Sequence, residues 1–466
     1  MNLRATKSIA ALRSDAGIES EHSLRRTLGP LSLTALGVGA IVGAGIFVLT
    51  GVAAALYAGP AVSISMVLVG VACSFAGLCY AEMASTVPVA GSAYTYAYAT
   101  LGEFAAWIIG WDLILEYAMG AATVGVGWSA TFVSLLDLIG LHLPAQLTSA
   151  PFLVCASVDV AQAVAGCHAV GWSLSGAIVN LPAVVIVLAI SAVLMVGIQE
   201  SARVNTAIVL VKVGVLALFV IFGSQYVAPQ HWTPFVPPNT GTFGEFGWSG
   251  VLRGAGLIFF AFIGFDAVST AAQEAKNPQR DMPIGILASL GVCTILYVAV
   301  SLVLTGLVPY RQLNVSSPVI SVFESIPQLG WLRGIVTVGA ALGMGSTMLV
   351  MLMAQSRVFY AMSRDGLMGA WAGRVHPRFR TPYLSTVYTG LSVALFTGLF
   401  PIQVLGQLVN IGTLLAFVIV CAGVWVLRRT QPDLDRPFKT PWVPVVPILG
   451  MASCLGLMAT LPLAGC

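Results

Sequence analysis

The sequence predicts an all-α membrane protein, a bundle of about eleven transmembrane helices, and three observations predict it. Apolar runs of about 18 residues or more, each long enough to cross ~30 Å of hydrocarbon as a helix, recur along nearly all of the 466 residues. Charged residues make up only 8% of the chain, against about 25% in a soluble domain, which is too few to cover a water-facing surface. The mean hydropathy of +0.93 agrees. Third, Lys and Arg gather in alternate loops. Together these exclude a soluble enzyme and a nucleic-acid binder, and they make the lipid bilayer the chain's principal surroundings.

The elements follow in order. Residues 1–30 are polar and basic with no apolar core before Leu31, so they read as a tail, and the first span serves as the insertion signal. Spans are expected near 31–56, 61–86, 101–134, 175–197, 203–224, 250–272, 283–308, 332–362, 383–400, 403–428 and 442–463. The third and eighth are long enough to tilt or to project beyond the bilayer. Of the basic residues, 17 fall on the side of the N-terminus, and only Arg253, Arg311 and Arg333 fall on the other, with Lys212 left inside a span. Basic loops stay on the cytoplasmic side, which puts the N-terminus there. The expected organisation is a tail (1–30), a first five-span repeat (31–224), an outer loop (225–249), a second five-span repeat (250–428), and a loop with an eleventh span (429–466). Trp107, Trp111, Trp232 and Trp248 fit interfacial belts.

Cys73, Cys79, Cys293, Cys421 and Cys454 lie within apolar runs and read as small buried hydrophobes. Cys155 and Cys167 share an outer loop, as a disulfide or as two free thiols. His22, His142, His168, His231 and His376 fall in the tail or in loops and read as solvated. No Cys/His spacing suits zinc, and neither a metal nor a cofactor is expected.

Helix breakers mark two spans at corresponding positions. Gly37, Gly39, Gly43, Gly45 and Gly51 interrupt the first, and Gly254, Gly256 and Gly264 interrupt the sixth. Small residues also serve close helix packing. A matched pair of broken spans, however, points to inverted repeats with a binding site near the midplane. In Gly39-Ala40-Ile41-Val42-Gly43-Ala44-Gly45 the chain can leave helical geometry at little steric cost. The half-helix that follows presents free N–H groups, which favour a carboxylate. In Phe259-Phe260-Ala261-Phe262-Ile263-Gly264-Phe265-Asp266, freed carbonyls would accept from an ammonium. Such backbone is tolerated at that depth only where it is buried in protein or lines a cavity.

Lys212 lies nine residues past Arg203, ~13 Å deep at 1.5 Å per residue. A charge there costs at least ~2.5 kcal/mol, and a buried lysine can exchange its proton near neutral pH. A lysine satisfied by an acid or by carbonyls, or one that snorkels to the surface, is the structural alternative. Asp112 and Glu116 are four apart on one face of the third span. They read as a cation-attracting wall, a second proton relay, or polar residues bonded to neighbours. Asp266, after the sixth-span break, and Glu82, at the end of the second span, read as network or gating residues. The segment 274–283 reads as a turn with Pro283 in the first turn of the next helix, and Ser317-Pro318 reads as a turn.

The strings GVGAIVGAGIFVLTG, CYAEMASTVPVAGSAYTYAYATLGE, WDLILEY, FFAFIGFDAVSTAAQEAKNPQRDMPIGI and SLVLTGLVPY resemble the amino acid–polyamine–organocation superfamily, nearest its cationic amino acid transporter group and bacterial relatives. The resemblance covers residues ~30–460. It implies the leucine-transporter-type fold of 5+5 inverted repeats, with substrate contacts at Ile41, Gly43, Ala44, Gly45, Phe260, Ala261 and Ile263, Phe260 acting as a gate. It also implies that Lys212 stands where sodium-coupled cousins hold their cation, near the first-span carbonyls and Ser346 or Thr347. The implied activity is proton-coupled amino acid uptake across the cytoplasmic membrane; an amino acid/polyamine exchanger of the same fold is the alternative. Apolar site positions suit small neutral substrates, whereas the group's name suggests cationic ones. The family usually has twelve spans, the last two outside the ten-helix core, and this sequence reads through eleven. A membrane enzyme would need a nucleophile–base set, and none is visible.

Overall fold

The computed structural model describes residues 6–9, 28–89, 91–155, 171–196, 202–376 and 381–461. Cys167, His22 and His168 lie outside these residues, as does the Cys155–Cys167 question. Seven helical stretches are long and apolar enough to cross a membrane, and Pro30–Ile41, Leu181–Val196, Tyr383–Leu399 and Val445–Thr460 are shorter apolar helices. The stretch Gly45–Thr86 is interrupted at Gly59, whose φ of +60° a side chain rarely adopts, just before Pro60. It therefore holds the second half of span 1 and all of span 2, Val62–Thr86. The remaining passages are Glu103–Leu138 (span 3), Leu181–Val196 (span 4), Ala202–Gly223 (span 5), a broken span 6 beginning at Gly247, Pro278–Leu307 (span 7), Gly330–Arg364 (span 8), Tyr383–Leu399 (span 9), Ile402–Thr430 (span 10) and Val445–Thr460 (span 11). The expected eleven passages are thus present.

Span 2 packs on span 7, span 3 on span 8, and span 4 on span 9. Span 1 packs on span 7 as span 6 does on span 2, and span 3 packs on span 10 as span 8 does on span 5. Exchanging spans 1–5 with spans 6–10 would leave this pattern unchanged. Small residues let these helices close without a polar seam: a Cβ on Gly70 would lie 2.6 Å from Thr294 in span 7, and one on Gly110 would lie 2.5 Å from Met362 in span 8.

Four expectations need correction. Span 4 starts at Leu181 rather than near 175, because the chain before it forms β2 (Gly171–Leu174), paired antiparallel with β1 (Phe152–Cys155). Pro283 lies inside span 7, which begins at Pro278. The Asn277 N–H donates to Asp281 Oδ2 (3.2 Å) and the Asp281 N–H donates to the Asn277 carbonyl (2.8 Å), which starts the helix early. Pro318 opens a short helix, Pro318–Ser325, with proline in its first turn. His231 is half-buried, with Nδ1 2.9 Å from the Gly306 carbonyl, rather than solvated.

Candidate functional site

The first break follows from its glycines. The helix Pro30–Ile41 stops, Val42 turns to extended backbone (φ −76°, ψ 91°), and the chain resumes as a π-helix at Gly45–Leu49. In span 6, Gly247–Ile258 tightens to a 3₁₀ turn at Phe259–Phe262, Ile263 is extended, and Gly264 takes φ +121° before Ala267–Thr270. The two breaks touch. A Cβ on Gly45 would sit 2.3 Å from the Ala261 Cα, and one on Gly264 would sit 2.8 Å from the Ala40 carbonyl carbon. Only glycine permits either approach. Gly45 and Ala261 thus meet directly, while a Cβ on Gly43 would point at Thr347 of span 8 (3.1 Å) and the Ala44 methyl lies against Gly127 of span 3; Ile41, Gly43, Ala44, Gly45, Phe260, Ala261 and Ile263 are all buried around the two breaks.

Unwinding at span 1 frees carbonyls, and neighbouring spans claim them. Lys212, fully buried in span 5, donates from Nζ to the carbonyls of Gly39 (2.5 Å) and Val42 (3.1 Å) and to Ser346 Oγ (3.1 Å). It also lies 3.4 Å from the Gly343 carbonyl and from Thr347 Oγ1. The Thr347 hydroxyl reaches the same two span 1 carbonyls, at 2.9 and 3.0 Å. The Tyr297 hydroxyl of span 7 donates to the Ile41 carbonyl at 2.9 Å. Among the described residues the N–H side is not claimed this way: the π-helix starts at Gly45 behind Ala44 without a side-chain cap, so its first N–H groups have no intrahelical acceptor.

Span 6 is arranged the other way round. The Gly264 N–H donates to Asp266 Oδ1 (3.2 Å), and the Tyr117 hydroxyl donates to Asp266 Oδ2 (2.8 Å). Asn410 of span 10 donates from Nδ2 to the carbonyls of Gly256 (2.9 Å) and Leu257 (3.2 Å), just before the break. Among the described residues, the carbonyls of Ala261, Phe262 and Ile263 receive no donor. Glu116 is buried in span 3 close enough to feel the Asp266 and Asp112 carboxylates, and the Asp112 side chain packs on Gly412 of span 10. These three acids form one cluster behind the span 6 break. They do not stand between the two breaks.

Ion pairs tie the elements together at the end that carries most of the Arg residues. Fully buried Glu82 accepts from Arg428 Nε (2.8 Å), Arg428 Nη2 (2.9 Å) and the Thr440 N–H (2.8 Å), with Arg436 Nε at 3.3 Å. Arg357 pairs with Glu274 at 2.8 Å, and Lys7 pairs with Asp365 at 3.0 Å. Tyr94 also donates to Asp365 (2.9 Å), and burial together with that carboxylate raises its hydroxyl well above the usual tyrosine value, so it stays a donor. The Leu28 N–H donates to the Glu274 carbonyl (2.9 Å), and the Lys276 N–H donates to the Leu28 carbonyl (2.8 Å), joining the entry to span 1 with the exit from span 6.

The sequence reading missed Tyr297, Tyr117, Asn410 and the Arg428–Arg436 pair. Asn410 carried a signal, an amide inside an apolar run. The tyrosines carried none, because their partners lie more than a hundred residues away. Among the described residues no group of three or more His, Cys, Asp or Glu is placed to hold a metal.

A helical membrane bundle with two broken spans meeting at its centre is the architecture of a secondary transporter. The chain belongs to the amino acid permease family, whose family model matches residues 28–465. It is 50% identical over 447 residues to a branched-chain amino acid permease of Bacillus subtilis (strain 168), covering 96% of this chain and 90% of that one. It is 47% identical over 440 residues to a methylthioribose transporter of the same organism, covering 94% and 89%. With the vacuolar cationic amino acid transporter 4 of Arabidopsis thaliana it shares 36% identity over 415 residues, covering 89% of this chain and 65% of that one. The protein is a multi-pass membrane transporter of this family, which is not a family of enzymes.

Proposed function

We propose that this protein is a proton-coupled amino acid symporter of the cytoplasmic membrane, with its basic end inside and two inverted halves, 31–224 and 250–428. The observation that carries this reading is the Lys212 ammonium, buried and donated to the Gly39 and Val42 carbonyls at the span 1 break. A cation there neutralises the freed carbonyls and holds the break open. Loss of its proton would remove that charge and let spans 1, 2, 6 and 7 rock against the rest. The N–H groups of Gly43, Ala44 and Gly45 receive the substrate carboxylate, the carbonyls of Ala261 and Ile263 receive its ammonium, and Phe260 closes over it. Asp112, Glu116 and Asp266 serve as a network that sets the span 6 backbone.

The substrate is a neutral aliphatic amino acid. Ile41, Ala44, Phe260, Ala261 and Ile263 offer apolar surface to a side chain, and the acid cluster lies behind the break rather than at its mouth. The branched-chain specificity named for the Bacillus subtilis relative agrees. The test is uptake of radiolabelled leucine into proteoliposomes, with and without an inward proton gradient. Lys212→Met is expected to abolish the gradient-dependent component. Unchanged gradient-driven uptake in that variant would remove proton coupling from Lys212. A competitor panel containing alanine, arginine, a polyamine and methylthioribose fixes the substrate class, and uptake that needs a counter-substrate and ignores pH would establish exchange.

A further inference from the structure

The basic end carries a groove that the transport site does not use. It lies between the first turns of span 7 and the loop joining spans 10 and 11, with a volume of about 660 Å³, and it is lined by Gln279, Arg280, Ile284, Leu287 and Phe438 among others. Its two walls are fixed independently. Span 7 is started by the reciprocal Asn277–Asp281 hydrogen bonds. The loop is pinned on either side of Phe438: Arg436 donates to the carbonyls of Leu427, Pro432, Leu434 and Gln431, and Thr440 is held on Glu82. The groove therefore exists before anything enters it.

Its chemistry is graded along its length. Arg280 and Gln279 are exposed at the mouth, and Lys439 is exposed beside Phe438. Among the described residues neither Arg280 nor Lys439 pairs with a carboxylate. Asp281, in the same turn as Arg280, is spent on the Asn277 N–H. From Gln279 to Ala288 the helix rises about 13 Å, and over that rise the lining turns wholly apolar through Pro283, Ile284 and Leu287. That rise exceeds the polar interface, about 5–8 Å thick on each side of the hydrocarbon, so the groove reaches from headgroup level into the acyl region. Basic pockets at this depth between membrane helices suit anionic lipid headgroups.

We propose that this groove binds one anionic glycerophospholipid from the leaflet at the basic end. The phosphate sits on the Arg280 guanidinium. The Gln279 amide meets the headgroup hydroxyls, and one acyl chain lies along Ile284, Leu287 and Phe438. A basic contact of this kind contributes about a five-fold preference over a zwitterionic headgroup.

The test uses the full chain purified in detergent, mixed with phosphatidylglycerol or phosphatidylcholine at equal mole fraction, and reads retained lipid by native mass spectrometry. Phosphatidylglycerol is expected to be retained about five-fold more than phosphatidylcholine. Arg280→Gln, an exposed change that leaves the fold intact, is expected to equalise the two. Leu287→Trp, which fills the apolar floor while keeping Arg280, is expected to lower retention of both. Glycerol 3-phosphate at matched concentration should leave phosphatidylglycerol in place. A preserved preference in Arg280→Gln, unaltered retention in Leu287→Trp, or displacement of the lipid by glycerol 3-phosphate would each overturn the assignment.

Discussion

Span 1 and span 6 are broken where they touch each other, yet their backbones are satisfied in opposite ways. In span 1 the freed carbonyls are taken by Lys212, Thr347 and Tyr297, and the N–H groups at the start of the next half-helix are left over. In span 6 the N–H of Gly264 is taken by Asp266, and the carbonyls of Ala261, Phe262 and Ile263 are left over. A buried backbone group without a partner costs about 1–3 kcal/mol, so among the described residues each break leaves one class of group unpaired and satisfies the other. The difference teaches that the pair is polarised. One side leaves donors and the other leaves acceptors, which is the basis of the zwitterion site proposed above.

The comparison can be broken most severely at the contact itself. Gly45→Ala places a methyl where the Ala261 Cα already stands, 2.3 Å away. Backbone cannot yield as a flexible side chain does, and overpacking of this kind costs ~1–3 kcal/mol. Loss of uptake is expected, with a fall of several degrees in melting temperature; wild-type transport by this variant would mean the breaks do not meet during the cycle. Thr347→Val comes next. It removes one of the two donors shared by the Gly39 and Val42 carbonyls, a loss of ~1–3 kcal/mol, and a ten-fold or larger drop in uptake is expected with the apparent substrate affinity also weakened.

Asp266→Asn is milder, because an amide oxygen still accepts from Gly264 N–H. A drop of about three- to ten-fold is expected, carried by turnover rather than by loss of fold, since a neutral hydrogen bond replaces a charge-assisted one roughly twice as strong. Tyr297→Phe is the smallest change at the site. It removes a single hydroxyl from the Ile41 carbonyl and is expected to cost ~1 kcal/mol, about five-fold in apparent affinity. Glu82→Gln sharpens the comparison from outside it. It breaks the charge pairing with Arg428 at the basic end, outside the hydrogen bonds of either break, so it should lower thermal stability while leaving the ranking of competing substrates unchanged.

Much of this was legible in the chain. The spans were, because so few charges leave the apolar runs uninterrupted. Lys212 stood out because a lone ammonium inside such a run has to have a reason, and the glycines at 43, 45 and 264 located the breaks. The resemblance set Lys212 near the first-span carbonyls and Ser346 or Thr347, where it lies; what could not be read was which other neighbours claim the freed groups. Tyr297 and Tyr117 look like ordinary core aromatics until the fold sets their hydroxyls against Ile41 and Asp266. Glu82 read as a network residue, but its pairing with Arg428 and Arg436 depends on how the loop after span 10 folds back. The strand pair before span 4 was missed because four-residue segments leave too short a pattern to separate from the apolar run that follows. Pro283 was misplaced because Pro278 opens the helix first.

The polarised pair of breaks is tested most directly by capping one end of the substrate at a time. Inhibition of leucine uptake in proteoliposomes would be compared for leucine, N-acetylleucine and leucinamide at equal concentration. Leucine alone should compete, because N-acetylleucine leaves the span 6 carbonyls without an ammonium and leucinamide leaves the span 1 N–H groups without a carboxylate. Competition by either capped form as strong as that of leucine would contradict the account.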